Sequence, residues 1–423
     1  MSASLAFTLA FSAALVLGLL VKFWLATRQV RHVARHRDQV PAAFAQTISL
    51  AAHQKAADYT IAKARFGVLE LAWGAAVLLG WTLLGGLDLL NKALLAWMGS
   101  GMLQQLALLV AFSLIGGLLD LPFTLWQTFR LEQRFGFNKM TWRLWLKDAA
   151  ISTGVTFALG LPLAAVVLWL MAQAGAYWWL CAWIALVAWS LFAQYIYPTW
   201  IAPLYNKFEP VTDPLLAERV TDLMKRCGFS AKGLFVMDGS RRSGHSNAHF
   251  TGLGKNKRVV LFDTLIERLS IDQLEAVLAH ELGHFKHRHI AKRAVTVVAF
   301  ALAAFMLLGW LAGETWFYTG LGVQPSMTGR NDALALSLFM LALPVFGVFI
   351  APLMGQLSRR DEFEADAYAI AQTNRKDLPA ALLSLYEGNA STLTPDPVFV
   401  KFYYSHPPAS ERLARMGASP AAA

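Results

Sequence analysis

Two histidines four residues apart, with a glutamate directly after the first, form the part of this sequence best suited to catalysis. The segment reads His280-Glu281-Leu-Gly-His284 inside a helical pattern. Residues four apart project from one face of a helix, one turn above the other, so two imidazole nitrogens at this spacing can bind one tetrahedral Zn²⁺. Glu281 lies one residue further round, close enough to hold a metal-bound water and take its proton. This pattern is the H-E-x-x-H signature of zinc metalloproteases.

Two acidic residues further along the chain have the same spacing. Glu362 and Asp366 are four residues apart, so both project from one face of a second predicted helix. A Glu362 carboxylate would complete a two-histidine, one-glutamate site for one zinc ion per chain and leave the fourth position to water. Asp366 would then orient a ligand through a hydrogen bond. Alone, such a cluster is more typical of a solvated helix face, so the zinc site is predicted from the two motifs together.

The chain as a whole is too apolar for an ordinary soluble protein. Hydrophobic residues make up 56% of its 423 residues and charged residues only 15%. Seven apolar runs are long enough for a transmembrane helix, which needs about 20 residues. They cover approximately residues 5–25, 66–90, 102–126, 149–172, 177–200, 294–311 and 333–353. The sequence therefore predicts a multi-span α-helical membrane protein with seven transmembrane helices.

Basic residues are concentrated in alternate connections between the predicted spans. The connection after span one carries seven Lys or Arg residues and the connection after span three carries five, whereas those after spans two, four and six carry at most one. By the positive-inside rule, the N-terminus is outside, and the zinc motifs and the C-terminus face the cytoplasm. In a bacterium this membrane would be the plasma membrane. The same rule explains the net charge of +10 without a nucleic-acid partner.

The spans divide the chain into four parts. Residues 1–199 hold spans one to five, 200–291 form a cytoplasmic protease segment with the H-E-x-x-H helix, 292–355 hold spans six and seven, and 356–423 form a cytoplasmic helical segment with the third zinc ligand. Within the second part, a helix at 214–227 and strands at 234–237, 246–251 and 258–262 precede the zinc helix. Residues 286–289, which follow the motif, are expected to mark the membrane interface.

Several stretches between Leu121 and Leu413 resemble the integral-membrane zinc CAAX prenyl endopeptidases, the type that processes prelamin A and a yeast mating factor. Besides the two metal motifs, the matching stretches are 121–123 with Glu132 and 136–139, 201–208, 238–240, 243–252, 404–408 and 411–413. The seven-span layout extends the resemblance over nearly the whole chain. It implies seven helices around a large water-filled chamber, capped by a zincin-like α+β metalloprotease domain.

The resemblance also implies roles for residues outside the metal motifs, while the zinc ligands and the base are those already named. Asn247 and Ala248 would lie on an edge strand to which the substrate peptide adds through main-chain hydrogen bonds. His406 would lie near the metal and stabilise the oxyanion, a role that needs a donor aimed at developing charge. Arg359 and Arg360 would either pair with local acidic residues or contact the substrate, and the sequence leaves both roles open.

The implied activity is that of a zinc metalloendopeptidase that removes the C-terminal tripeptide of prenylated proteins. Its partners would be a peptide or protein substrate, with or without a lipid, and the surrounding membrane lipid. A membrane-protein quality-control protease with no prenyl substrate is an alternative. A transporter or channel would also use seven spans and a cavity, and an inactive relative would bind lipidated peptides without cleaving them. Nothing in the sequence resembles a nucleic-acid-binding module.

Overall fold

The N-terminal half of the chain is a set of long helices. The computed structural model describes residues 1–229, 233–251, 258–326 and 329–417. In chain order, the first helices are α1 (Ala3–Arg35), α2 (Leu50–Trp81), α3 (Gly86–Met98), α4 (Met102–Trp126), α5 (Trp142–Gln173), α6 (Trp178–Ile196) and α7 (Ala202–Tyr205). A π-helical turn, Gln127–Glu132, extends α4, and another, Tyr197–Ile201, joins α6 to α7.

A small α+β domain follows these helices. It contains β1 (Phe208–Pro210), α8 (Pro214–Arg226), β2 (Leu234–Met237), β3 (Ala248–Thr251), β4 (Arg258–Phe262), α9 (Asp263–Ile266) and α10 (Ile271–Lys286). The strands pair in the order β1-β2-β4-β3, with β2 and β4 parallel and both outer pairs antiparallel. The strands predicted at 234–237 and 258–262 are confirmed. The strand predicted at 246–251 begins at Ala248, and it forms one edge of the sheet.

The seventh predicted span is bent, and the second ends at Trp81 rather than near residue 90, because the chain turns at Gly85 (φ 78°) before α3 begins; the other five are confirmed. Within the described residues, six helical segments are long and apolar enough to cross a membrane, the last being α11 (His289–Leu311). After the short α12 (Thr315–Thr319), α13 (Asp332–Gly347) and α14 (Ala351–Gln372) meet at an angle of 67°. Pro352 lies in the first turn of α14, and a proline ring clashes with a continuous preceding helix. The apolar run 333–353 is therefore mostly α13, and the chain turns where α14 begins.

The C-terminal helices complete the core of the α+β domain. They are α15 (Asp377–Gly388), α16 (Pro397–Tyr403) and α17 (Ala409–Met416), separated by the predicted break near 392–397. Residues 418–423 of the predicted C-terminal segment lie outside the described residues. The core is formed by α8, β4, α9, α10, α14 and α15, and its fully buried side chains include Leu223, Leu261, Leu265, Ala276, Ala279, Ala369 and Ala381. Burial of a leucine side chain contributes about 1.5–3 kcal/mol, so this core fixes α10 against α14.

A large cavity lies between the membrane helices and the α+β domain. Its volume is about 1140 Å³. Side chains of α1 and α2 line one side of it, and the loop before β3 together with the segment around α16 lines the other. A cavity of the kind implied by the resemblance is therefore present beside the α+β domain, and of the membrane helices α1 and α2 line it.

Candidate metal centre

The zinc-motif helix α10 begins with a capping box that fixes its start. The Gln273 N–H donates to Ser270 Oγ at 3.3 Å, and the Ser270 N–H donates to Gln273 Oε1 at 3.0 Å. Both bonds satisfy amide groups that the first turn of a helix leaves unpaired. Leu274, Leu278 and Leu282 then pack into the core. The opposite face of α10 carries His280, Glu281 and His284 towards a cleft of about 400 Å³.

Three predicted ligands converge at this cleft. His280 Nε2 lies 3.3 Å from His284 Nε2 and 3.5 Å from Glu362 Oε2, and His284 Nε2 lies 3.4 Å from Glu362 Oε1. Ligand atoms bound at 2.0–2.1 Å to one tetrahedral zinc would be about 3.3 Å apart. Glu362 Oε2 is also buried and accepts no hydrogen bond within the described residues. The residues present therefore fit a metal ion, and the spacing indicates two ligand nitrogens rather than a histidine–histidine hydrogen bond.

Asp366 and Arg412 orient the His280 ring from the side that faces away from His284 and Glu362. His280 Nδ1 lies 2.9 Å from Asp366 Oδ1, so Nδ1–H donates and leaves Nε2 for the metal. Arg412 Nε donates to Asp366 Oδ2 at 2.8 Å, and a second Arg412 nitrogen contacts Asp366 Oδ1. Arg412 is only 7% exposed. Sequence reasoning gave Arg412 no role, although it lies in the C-terminal stretch 411–413 that carries the resemblance.

His289 holds the second ligand in the same way. His284 Nδ1 lies 3.0 Å from His289 Nδ1, and His289 Nε2 lies 3.1 Å from Glu364 Oε2. Because Glu364 can only accept when ionised, His289 donates from Nε2 and accepts at Nδ1 from His284. This arrangement leaves His284 Nε2 for the metal. Arg288, between α10 and α11, has a left-handed backbone conformation with φ 56°. This conformation turns the chain so that His289 lies beside His284. The sequence predicts only a position at the membrane interface for His289, whereas in the structure His289 also orients the His284 ring.

The titration of the two histidines differs because their partners differ. Burial disfavours the charged form of both imidazoles. In His280, the hydrogen bond to Asp366 and the nearby Glu362 carboxylate outweigh burial and raise the pKa to about 9. In His284, burial and the charge of His280 lower the pKa to about 4. A bound metal needs both rings neutral, so His284 is ready to bind and His280 releases a proton on binding.

Glu281 and His406 flank the convergence point. Glu281 lines the same cleft, and burial raises the pKa of its carboxyl group, which favours proton transfer near neutral pH. His406 Nε2 lies 3.3 Å from Glu362 Oε1, and Ser405 Oγ lies 2.9 Å from His406 Nδ1. The His406 side chain is 67% exposed, and it lies on the wall shared by the cleft and the large cavity. Its position suits donation to a substrate oxygen.

The edge strand β3 begins beside these groups. Asn247 and Ala248 line the cleft together with His280 and His406. The Phe262 N–H donates to the Asn247 carbonyl at 3.1 Å, and Asn247 Oδ1 accepts from the Ala248 N–H at 2.8 Å. β3 pairs with β4 on one side, and no strand in the described parts of the chain pairs with its other edge.

The two arginines whose roles the sequence leaves open both pair with local acidic residues. Arg359 is buried, and its guanidinium donates to Glu411 Oε2 at 2.6 Å. Arg360 is exposed and donates to Glu364 Oε1 at 3.2 Å. Arg359 ties α14 to α17, and Arg360 supports the carboxylate that holds His289.

Comparisons with known proteins agree with this geometry. The family model described as CAAX prenyl protease N-terminal, five membrane helices, matches residues 29–207, and the model for peptidase family M48 matches residues 210–419. Among curated relatives, CAAX prenyl protease 1 homolog of Arabidopsis thaliana is 38% identical over 70% of this chain and 69% of its own length. CAAX prenyl protease 1 homolog of Homo sapiens is 30% identical over 95% of this chain and 94% of its own length.

A solved structure gives the same result for the fold. The crystal structure of S. mikatae Ste24p superposes with a TM-score of 0.91 at 30% sequence identity, over 97% of this chain and 99% of that one. These matches confirm the resemblance inferred from the motifs and do not favour a transporter or channel. The chain therefore belongs to peptidase family M48 as a membrane-embedded metalloprotease.

Proposed function

We propose that the chain is a zinc endopeptidase in which His280, His284 and Glu362 hold one Zn²⁺ per chain. The observation that carries this proposal is that His280 Nε2, His284 Nε2 and the Glu362 carboxylate come within 3.3–3.5 Å of one another, while Glu362 Oε2 is buried with no hydrogen bond among the described residues. Two imidazoles and one carboxylate are a donor set typical of catalytic zinc. When bound, zinc lowers the pKa of a water molecule towards about 7 and polarises a carbonyl group.

In this proposal, the chain's own residues position the substrate and move the protons. The edge of β3 at Asn247 and Ala248 binds the substrate backbone as an added strand. Glu281 takes a proton from the attacking water and delivers it to the leaving amine. His406 donates a hydrogen bond to the developing oxyanion. Asp366 fixes the orientation of the His280 ring, as a carboxylate behind a metal-binding histidine does.

The proposed substrates are prenylated proteins, from which the enzyme removes the C-terminal tripeptide. Support comes from the relatives named CAAX prenyl protease 1 and from the cavity of about 1140 Å³ beside the metal site. Its wall combines polar groups near His406 with apolar residues of α1 and α2 such as Ala26 and Leu71. The relatives do not favour a quality-control protease without a prenyl substrate. The proposed orientation places the N-terminus outside and the metal site in the cytoplasm, surrounded by membrane lipid and with no nucleic-acid partner.

A peptide pair tests the proposed substrate. The purified zinc-loaded protein is incubated with a peptide ending in a farnesyl-cysteine CAAX sequence, and with the same peptide lacking the farnesyl group. Mass spectrometry should show loss of the last three residues from the farnesylated peptide at a substantially higher rate. Equal rates on both peptides would contradict the need for a prenyl group, and cleavage at another bond would contradict removal of a tripeptide.

A further inference from the structure

The large cavity and the metal cleft share a wall. Ser246, Asn247 and His406 line both spaces. A peptide seated on the edge of β3 beside the metal therefore passes directly into the large cavity. The groups that line this cavity away from the metal are the ones that a bound peptide end would meet.

Two lysines face this cavity from the membrane helices. Lys22 lies on α1 and Lys63 on α2, and both line the cavity. In the described parts of the chain, neither ammonium group has an acidic partner within 4.0 Å, and Glu70 is the only acidic side chain that lines the cavity. Lys22 lies within the first predicted span, where a cation without an acidic partner is costly and marks a site for a charged ligand. The cavity wall therefore carries excess positive charge where an anionic group can enter.

Short contacts connect Lys63 to the substrate edge. Lys63 Nζ lies 5.0 Å from the centre of the Tyr59 ring, and that ring lies 6.3 Å from the His245 ring. His245 comes two residues before Asn247, where the proposed peptide-binding edge begins. These contacts place Lys63 on the cavity wall next to the segment that leads into β3. Tyr59 is itself fixed, because its hydroxyl donates to Glu132 Oε1 at 2.7 Å.

We propose that Lys63, assisted by Lys22, binds the free C-terminal carboxylate of a substrate whose chain end enters the large cavity. This inference rests on the proposed peptidase function and defines how that site selects its substrate. An ammonium–carboxylate pair is a charge-assisted hydrogen bond, stronger than a neutral one. The enzyme would therefore prefer substrates whose free chain end lies in the cavity while the cleaved bond lies beside the metal site.

The test uses two peptides that differ only at the chain end. Both carry the same sequence and lipid, and one ends in a carboxylate and the other in an amide. In zwitterionic detergent, the wild-type enzyme should show a kcat/KM about 10-fold or more higher for the carboxylate peptide. Lys63→Met should lose most of that preference through a raised KM while leaving the amide peptide nearly unchanged, and Lys63→Arg should retain most of it. Lys22→Met should reduce the preference less.

Arg65→Met is the matched control, because Arg65 lies on α2 two residues from Lys63 but does not line the cavity. It should change neither peptide's kinetics. Equal wild-type rates on the two peptides would overturn the inference, as would an equal loss on both peptides in Lys63→Met, which would also fit a lipid phosphate as the true anion. These results leave the peptidase function intact. If the zinc-loaded wild type cleaves neither peptide, the proposed function fails, and this inference fails with it.

Discussion

Gly283 of α10 lies against Ala365 of α14 with no room for a side chain between them. A Cβ added at Gly283 would lie 2.9 Å from the Ala365 Cα and 3.1 Å from its carbonyl oxygen. Gly283 precedes the proposed ligand His284, and Ala365 follows the proposed ligand Glu362 by three residues. This contact therefore sets the distance between the two helices at the level of the ligands.

Gly283→Ala should separate α10 from α14 and weaken metal binding. Overpacking of this kind costs about 1–3 kcal/mol, so the melting temperature in detergent should fall and the zinc affinity should fall about 10-fold or more. Both are measured on purified protein, the affinity by competition with a chelator. Gly154→Ala is the control, because no atom lies within 4 Å of a Cβ added there. Equal behaviour of the two variants would show that the helix contact does not control the site.

Substitution of His289 should lower the zinc affinity, although His289 is not itself a proposed zinc ligand. His289 is 3% exposed and links His284 to Glu364. Loss of such an outer hydrogen-bond partner typically costs 10–100-fold in metal affinity, and we expect His289→Ala to fall in about this range. Glu364→Gln should give a smaller loss in the same direction, and the exposed Glu387→Gln should give none. Unchanged zinc affinity in His289→Ala would contradict the role inferred from the contacts.

Arg412→Met should destabilise the zinc-loaded protein, because the buried Asp366 then keeps only the neutral His280 ring as a partner. Breaking a buried ion pair by removing one charge costs about 3–5 kcal/mol. The double variant Arg412→Met with Asp366→Asn should recover part of that stability, because the unpaired charge is gone. Its zinc affinity should remain low, since the amide is a weaker acceptor for His280. Thermal unfolding of the two variants and the wild type gives the comparison, and additive losses in the double variant would contradict the coupling.

Asp396 gives the fold a pH-dependent contact between α1 and α16. It accepts from Arg28 Nε at 3.2 Å and from the Phe399 N–H at 2.9 Å. Burial alone would raise the pKa of Asp396, but these hydrogen bonds lower it below its ordinary value. A lowered folded-state pKa means that this stabilisation is present above the unfolded value of about 3.9 and is lost as pH falls through the folded value.

Asp396→Asn should therefore lower the melting temperature at pH 7, and its difference from the wild type should shrink below about pH 4. Arg28 is 40% exposed, so the contribution is only about 1 kcal/mol. Asp58→Asn, which removes a more exposed pair with Arg37, should have a smaller effect. A difference between wild type and Asp396→Asn that is independent of pH would refute this account of the contact.

The part of the site that could be predicted from the sequence is the part whose side chains are placed by helical spacing alone. The two motifs each lie on one helix, so a spacing of four residues determines the faces of α10 and α14. Arg412 and His289 could not be assigned in this way, because their roles depend on contacts between elements far apart in the chain. The bend before Pro352 was also hidden inside a continuous apolar run. β1 has only three residues, one of them a proline, which is too short a pattern to recognise.

The most direct test of the account is the metal content and peptide cleavage of Glu281→Gln measured on the same preparation. The substitution keeps the size of the side chain and removes its ability to accept a proton. We predict one zinc per chain, an unchanged melting temperature, and a fall in kcat of about 10²- to 10⁴-fold, the usual contribution of a general base. Near-wild-type cleavage by a zinc-loaded Glu281→Gln protein would contradict the assignment of the base and, with it, the proposed mechanism.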